Sequence, residues 1–270
     1  TADQLNLKAN NDINNVGGII DANTSANLQA GRDINVTTTT ASGATGYGSA
    51  TIIDRVAGIY IGTGANELIG QSTNINSLTL QAGRDVNLTA AQIDNAGTGG
   101  TRIDATNGNL NLATVTTSES ERIYRDARNG FSTSSSNEIG SSINGTGNIA
   151  LSAGKDVNAR AADVNSQTGA LSVQAGNDIN IQAGTSTRDT TVDAYQKQGG
   201  FLSSKKTTEH QDTQTQTSVA SNFTGATVAL SAGHDAANTG ANVIYHPQTR
   251  ISGGNDVNII AATDTASSNN

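Results

Sequence analysis

The feature that most constrains this chain is a short phrase that returns along its length. At residues 78–90 it reads LTLQAGRDVNLTA, with Leu78, Leu80, Val86 and Leu88 at alternating positions on either side of Ala82-Gly83-Arg84-Asp85. Such alternation sends one face of each of two short strands inward around a tight corner. Gly83 offers the backbone freedom that a corner uses. Asp85 is suited to cap it, because a short carboxylate accepts hydrogen bonds from backbone N–H groups just ahead in the chain. The other copies are NNDIN (10–14), AGRDIN (30–35), NGNLN (107–111), AGKDVN (153–158), AGNDIN (175–180), AGHDAA (232–237) and GGNDVN (253–258).

The Asp-equivalent positions are 12, 33, 85, 109, 156, 178, 235 and 256, so intervals of 21–24 residues alternate with intervals of 47–57. A short interval holds three strands of about five residues with corners between them, which is one turn of a parallel β-helix. A long interval holds such a turn plus an extra segment. The spacing therefore predicts one solenoid domain over 1–270. Its pairs of turns lie at about 1–36, 76–112, 148–182 and 226–262, and its excursions at about 37–75, 113–147 and 183–225. In the first excursion, Ile52, Ile53, Ile59 and Ile61 are expected to form a strand pair lying against the helix. The third reads as a Thr-rich hairpin with Gly199-Gly200 at its bend. The single proline, Pro247, falls where a corner is expected.

Composition fits a narrow interior. Aromatic residues make up 3% of the chain and there is no Trp, so the core must be stacked Leu, Ile, Val and Ala, each turn covering its neighbours. The net charge of −8 argues against nucleic acid as a partner, since no basic face is expected to neutralise phosphates. Absence of cysteine removes any disulfide framework and suits a chain that crosses membranes unfolded. No signal peptide or membrane-spanning run is visible, so the chain is expected to be an internal piece of something longer.

At these residues the sequence resembles the haemagglutinin repeats of filamentous haemagglutinin-like exoproteins, large surface proteins of Gram-negative bacteria exported by two-partner secretion. The resemblance rests on the recurring L-x-A-G-x-D-[VI]-N phrase and on GGFLSSKKTTE at 199–209, and it covers nearly the whole chain. It implies an all-β, right-handed parallel β-helix, a secreted or cell-surface location, and a role in adhesion or contact-dependent growth inhibition. The implied partners are the rest of a parent exoprotein, an outer-membrane transporter during secretion, and a target-cell outer membrane or surface receptor in toxin-delivering members. Neither a secretion domain nor a toxin is recognisable in these residues.

Gly31, Asp33, Gly83, Asp85, Gly154, Asp156, Gly176, Asp178, Gly233, Asp235 and Asp256 form the expected structural corner set. Calcium-binding β-rolls repeat Gly-x-Asp about every nine residues so that consecutive corners share an ion. Spacing of 21 or more favours corner capping over a metal site. Arg32, Arg84 and Lys155 stand beside the Asp and offset its repulsion from the next. The Asn two positions on, at 14, 35, 87, 158, 180 and 258, fits a stacked amide ladder.

No catalytic, cofactor or metal residue is assigned. His210, His234 and His246 lack metal-ligand spacing, and no cysteine or helix-borne His pair supports a triad or zinc site. Polysaccharide-acting β-helix enzymes gather charged residues on one strand face, whereas here they sit at corners and in excursions. Gly199, Gly200, Phe201, Leu202, Lys205 and Lys206 form a candidate contact tip, with Phe201 either exposed or folded back onto the hairpin. Tyr47, Tyr60, Tyr124 and Tyr195 also fall in the excursions, which places recognition on that side. Two non-catalytic functions remain open: a passive elongated stalk and an interaction module.

Overall fold

A computed structural model describes residues 2–62 and 76–269, with side chains throughout these except at 241–248. The described chain is all β. Each circuit of the chain, here called a coil, lays strands on up to three faces, and each strand pairs in parallel with its counterpart in the neighbouring coils.

The first face stacks 25–30, Ser77–Ala82, Thr101–Ala105, Ile149–Ala153, Ala170–Ala175 and 227–232. The second runs from Ile13–Val16 through Ile34–Thr37, Val86–Thr89, Leu110–Ala113, Val157–Arg160, Ile179–Gln182 and Ala236–Thr239 to Val257–Ile260. The third stacks 19–22, Gly58–Ile61, Gln92–Asn95, Ser142–Gly145, Asp163–Ser166 and 222–224. Ten strands of the first and third faces close a ring of pairings. The ring arises because Ile19–Ala30 and Ser221–Ala232 each run through both faces, pairing with one set of partners along their first half and another along their second.

Parallel in-register pairing forces like onto like. Leu28, Leu80, Ile103, Leu151, Val173 and Leu230 form one inward column, and Ile34, Val86, Leu110, Val157 and Ile179 another, all buried. Each such aliphatic contributes roughly 1.5–3 kcal/mol by leaving water. Among the described residues one fully buried aromatic, Phe223, continues the third-face column above Val164.

The coils alternate in how they leave the second face. In one set the chain turns directly onto the third face through a residue with positive φ: Gly17 (+59°), Ala90 (+45°), Ala161 (+46°) and Gly240 (+64°). In the other set it departs as a hairpin after Thr37, Ala113 and Gln182, and a last strand, Thr265–Asn269, follows Val257–Ile260. These segments form one seven-stranded antiparallel sheet, in the order Thr265–Asn269, Ser203–Val219, Gly184–Gly200, Asn129–Ile139, Val115–Asp126, Gly48–Arg55, Thr39–Thr45. Rise explains the alternation: two coils advance about 9.6 Å, and so do the two strands of one hairpin. One hairpin per two coils keeps both sheets in step, and any other ratio would shear them apart.

The structure revises four expectations. The excursions are shorter than the intervals imply, because Gly58–Ile61, Ser142–Gly145 and 222–224 return to the coils; Ile59 and Ile61 are core residues, and only Ile52 and Ile53 belong to the first hairpin. The third hairpin bends at Phe201-Leu202, while Gly199 and Gly200 are its last paired residues, opposite Ser204 and Ser203. Pro247 lies inside the strand Ala241–Ser252, at a register shift between 245 and 248 where its missing N–H is tolerated. His246 lies among residues whose side chains are not described.

Candidate functional site

At the corner after the first face, the recurrent Asp residues and Asn109 form a column. Asp12 Oδ1 accepts from the backbone N–H of Asp33 (3.2 Å), Asp33 from Asp85 (3.2 Å), Asp85 from Asn109 (2.8 Å), Asn109 from Asp156 (3.1 Å), Asp156 from Asp178 (3.3 Å), Asp178 from Asp235 (3.1 Å) and Asp235 from Asp256 (3.2 Å). The donors thus lie one coil on rather than just ahead in the chain. Parallel stacking brings that N–H closer to the carboxylate than local turn geometry does. Arg32 clasps Asp12 and Arg84 clasps Asp33 with both Nε and Nη2, so a guanidinium offsets the repulsion between successive carboxylates. These contacts hold the Asp12 and Asp33 carboxyls below their usual range, with the guanidinium as the largest cause.

The glycines of this corner serve the stack in a different way from the one the sequence suggests. Among the described glycines only Gly17, Gly62 and Gly240 have positive φ. A Cβ on Gly31, Gly83, Gly176 or Gly233 would instead lie 2.0–2.2 Å from the carbonyl oxygen of the coil beneath, and one on Gly154 would lie 2.3 Å from Thr106 O. Close approach of coils, not backbone freedom, requires glycine here. Two residues past the Asp, the amides link in series: Asn35 donates to Asn14, Asn87 to Asn35, Asn111 to Asn87, Asn158 to Asn111 and Asn180 to Asn158, at 2.8–3.1 Å.

The hairpin sheet is fastened to the coils by Glu138. Its carboxylate accepts from Arg160 Nε (2.9 Å) and Nη2 (2.6 Å), from the Thr185 backbone (2.6 Å) and hydroxyl (3.1 Å), and from Thr114 (3.3 Å). One side chain therefore joins the second hairpin, the third hairpin and the second coil face. Arg160 is the first cause holding the Glu138 carboxyl below its usual range. Sequence reading missed this junction because its members come from separate segments.

Farther out, His210 lies between Asp193 (Nδ1, 2.6 Å) and Asp212 (Nε2, 2.8 Å), which raise its pKa, and the Arg128 guanidinium stacks 4.6 Å from the Tyr195 ring centre. Tyr60 is different: it sits on a coil strand, bonded to Gln92. At the far end Phe201 and Leu202 are fully exposed, at 103% and 93%. Behind them Lys206 pairs across the hairpin with Lys197, and Lys205 with Gln198. Like charges directly opposite are unfavourable, so Lys197, which the sequence reading passed over, completes a cationic collar kept at some cost.

Stacked parallel coils, repeated acidic corners and a sheet of Ser/Thr-rich hairpins together define a repeat segment built of parallel β-coils. The hemagglutinin repeat family model matches residues 124–270, and the chain belongs to that family. It is also similar to the tRNA nuclease CdiA-2 of Burkholderia pseudomallei (strain 1026b), with 23% identity over 228 residues. The match covers 80% of this chain but spans 7% of the relative's length. No solved structure matches.

Proposed function

We propose that this chain is a non-catalytic, right-handed parallel β-helix segment of a secreted or cell-surface exoprotein of two-partner secretion. In this reading it serves adhesion or contact-dependent toxin delivery and engages a target-cell outer membrane through the third hairpin. The right hand follows from the preference of parallel crossovers. The observation that carries the contact is the exposed Phe201-Leu202 turn with Lys197, Lys205 and Lys206 behind it. An apolar tip enters the interfacial region while cationic side chains meet anionic headgroups, an arrangement whose affinity grows with buried area and surface charge. The remainder of a parent chain and an outer-membrane transporter are the other partners of this reading. Flotation with outer-membrane vesicles tests it, comparing the chain with a variant whose 199–206 segment is replaced by a short Gly/Ser turn. Binding that disappears with the tip supports the contact; absence of binding by the folded chain overturns it.

The in-register coils favour a second reading as a passive stalk. At about 4.8 Å per coil, eight coils would hold distal parts roughly 40 Å away. A stalk has no use for an exposed apolar turn, and so the tip separates the two readings.

A further inference from the structure

The hairpin sheet is a single layer whose two faces both meet solvent over most of their extent. Alternation and register decide which side chains share a face. On one face Glu119, Ser135 and Arg188 stand side by side on adjacent strands. Two rows farther out, Ile123, Phe131 and Val192 do the same. Glu119 and Arg188 are exposed, and among the described residues neither forms an ion pair within the chain. Ile123 is 47% exposed.

The strand Asn129–Ile139 is the middle of the seven, with three strands on each side. A twofold axis along it, between two copies laid face to face, brings Glu119 opposite Arg188 and Arg188 opposite Glu119. The same operation sets Ile123 against Val192 and Phe131 against its own counterpart. Shape agrees with charge. A hollow of roughly 630 Å³ lies over the first hairpin, floored by Gly43, Gly48 and Ala50. The axis places Thr213 and Thr215 opposite Gly48 and Ala50, because these pairs occupy the same rows of the sheet. The decisive residues lie within one strand of the axis, about 4.8 Å, where sheet twist displaces them little. A twofold axis across the strands, midway between the Glu119 and Glu121 rows, would instead set Glu119 of one copy against Glu121 of the other, an unfavourable juxtaposition.

We propose that this face of the hairpin sheet is an interface with a second copy of the chain, with the two coil stacks running in opposite directions. Two rows shared by all seven strands and a third shared by four, about 4.8 Å apart across the strands and about 7 Å apart along them, cover about 600 Å² per copy, the lower end of the range for a stable standard interface. The surface is self-complementary, as a twofold interface requires.

Sedimentation equilibrium at concentrations up to about 100 µM tests the proposal on the full chain. The chain is expected to dimerise. Glu119→Arg and Arg188→Glu, each alone, should weaken association more than tenfold, since like charges then face each other. An equimolar mixture of the two variants should associate again, because each supplies the charge the other lacks; recovery on mixing also excludes misfolding as the cause of the single-variant loss. The chain has no cysteine. Because facing sheets stand about 10 Å apart, too far for a direct disulfide, Ser135→Cys on the axis should be joined to its counterpart by a bismaleimide about 10 Å long, and Ser134→Cys on the opposite face should not. A monomer at the highest concentration, a mixture that stays monomeric, or cross-linking through position 134 would each overturn the proposal.

Discussion

Replacement of Gly176 by alanine isolates the requirement that holds the coils together. The added Cβ would lie 2.1 Å from the carbonyl oxygen of Gly154, and ordinary contact between such atoms needs more than a further 1 Å. The opposing atom belongs to backbone, which cannot swing aside as a side chain does. Opening the gap strains the Gly176 N–H bond to Ala153 (3.0 Å) and the Asn177 N–H bond to Lys155 (2.9 Å). Two weakened hydrogen bonds and the overpacking together cost about 3 kcal/mol. The stiffer unfolded chain returns about 0.4–1 kcal/mol. The expected net destabilisation is about 2–3 kcal/mol, read from urea unfolding followed by far-ultraviolet circular dichroism. Gly46→Ala is the control, since a Cβ there meets nothing within 4 Å and φ is ordinary; it should change stability by less than about 0.5 kcal/mol. Equal effects at positions 46 and 176 would refute the argument from coil spacing.

Ala161 adopts φ +46°, a conformation that costs an L-residue about 1–2 kcal/mol. Ala161→Gly should therefore be at least about 1 kcal/mol less destabilising than Ala153→Gly, which has ordinary φ and the same 8% exposure, when both are measured by urea unfolding. Glu138→Gln should lower stability by about 1–2 kcal/mol at neutral pH through loss of charge-assisted bonds. The native Glu138 pKa is depressed, so its contribution is complete above the unfolded value and disappears as pH falls through the folded one. The gap between chain and variant, followed by pH-dependent melts, should accordingly shrink below about pH 4; a constant gap would contradict the ion pair. Phe223→Ala removes the one fully buried ring among the described residues and should cost about 3–5 kcal/mol.

The stack was legible because its information is periodic. One phrase with alternating Leu, Ile and Val fixes two faces and the corner between them, and its intervals separate direct coils from those carrying hairpins. The third face was less legible: Gly58–Ile61 and Ser142–Gly145 carry no repeated phrase, and interval counting left them in the excursions. Phe223 escaped notice because TSVASNFTGA offers no alternation, and its burial depends on the Val164 strand it lands on. The function of the corner glycines was hidden for a related reason. A local reading sees a turn residue, whereas the controlling atom is a carbonyl from another coil, about 20 residues or more away. The Glu138 junction and the Glu119–Arg188 symmetry likewise depend on the registration of hairpins, which only the matching of coil and strand rise determines.

That matching is the central claim, and distances between paired spin labels test it most directly in this cysteine-free chain. Asn11 and Asn255 occupy the same corner position in the first and last coils, joined through a series of backbone bonds that includes Arg32, Asn177 and His234. Ala44 and Ser267 occupy corresponding positions at the two edges of the hairpin sheet. Seven coil steps predict about 34 Å for the first pair, and six strand steps predict about 29 Å for the second. Two narrow distributions near those values would establish that coils and hairpins advance together. A broad or much longer Ala44–Ser267 distribution beside a correct Asn11–Asn255 distance would show that the hairpins do not form one sheet, and would contradict the account.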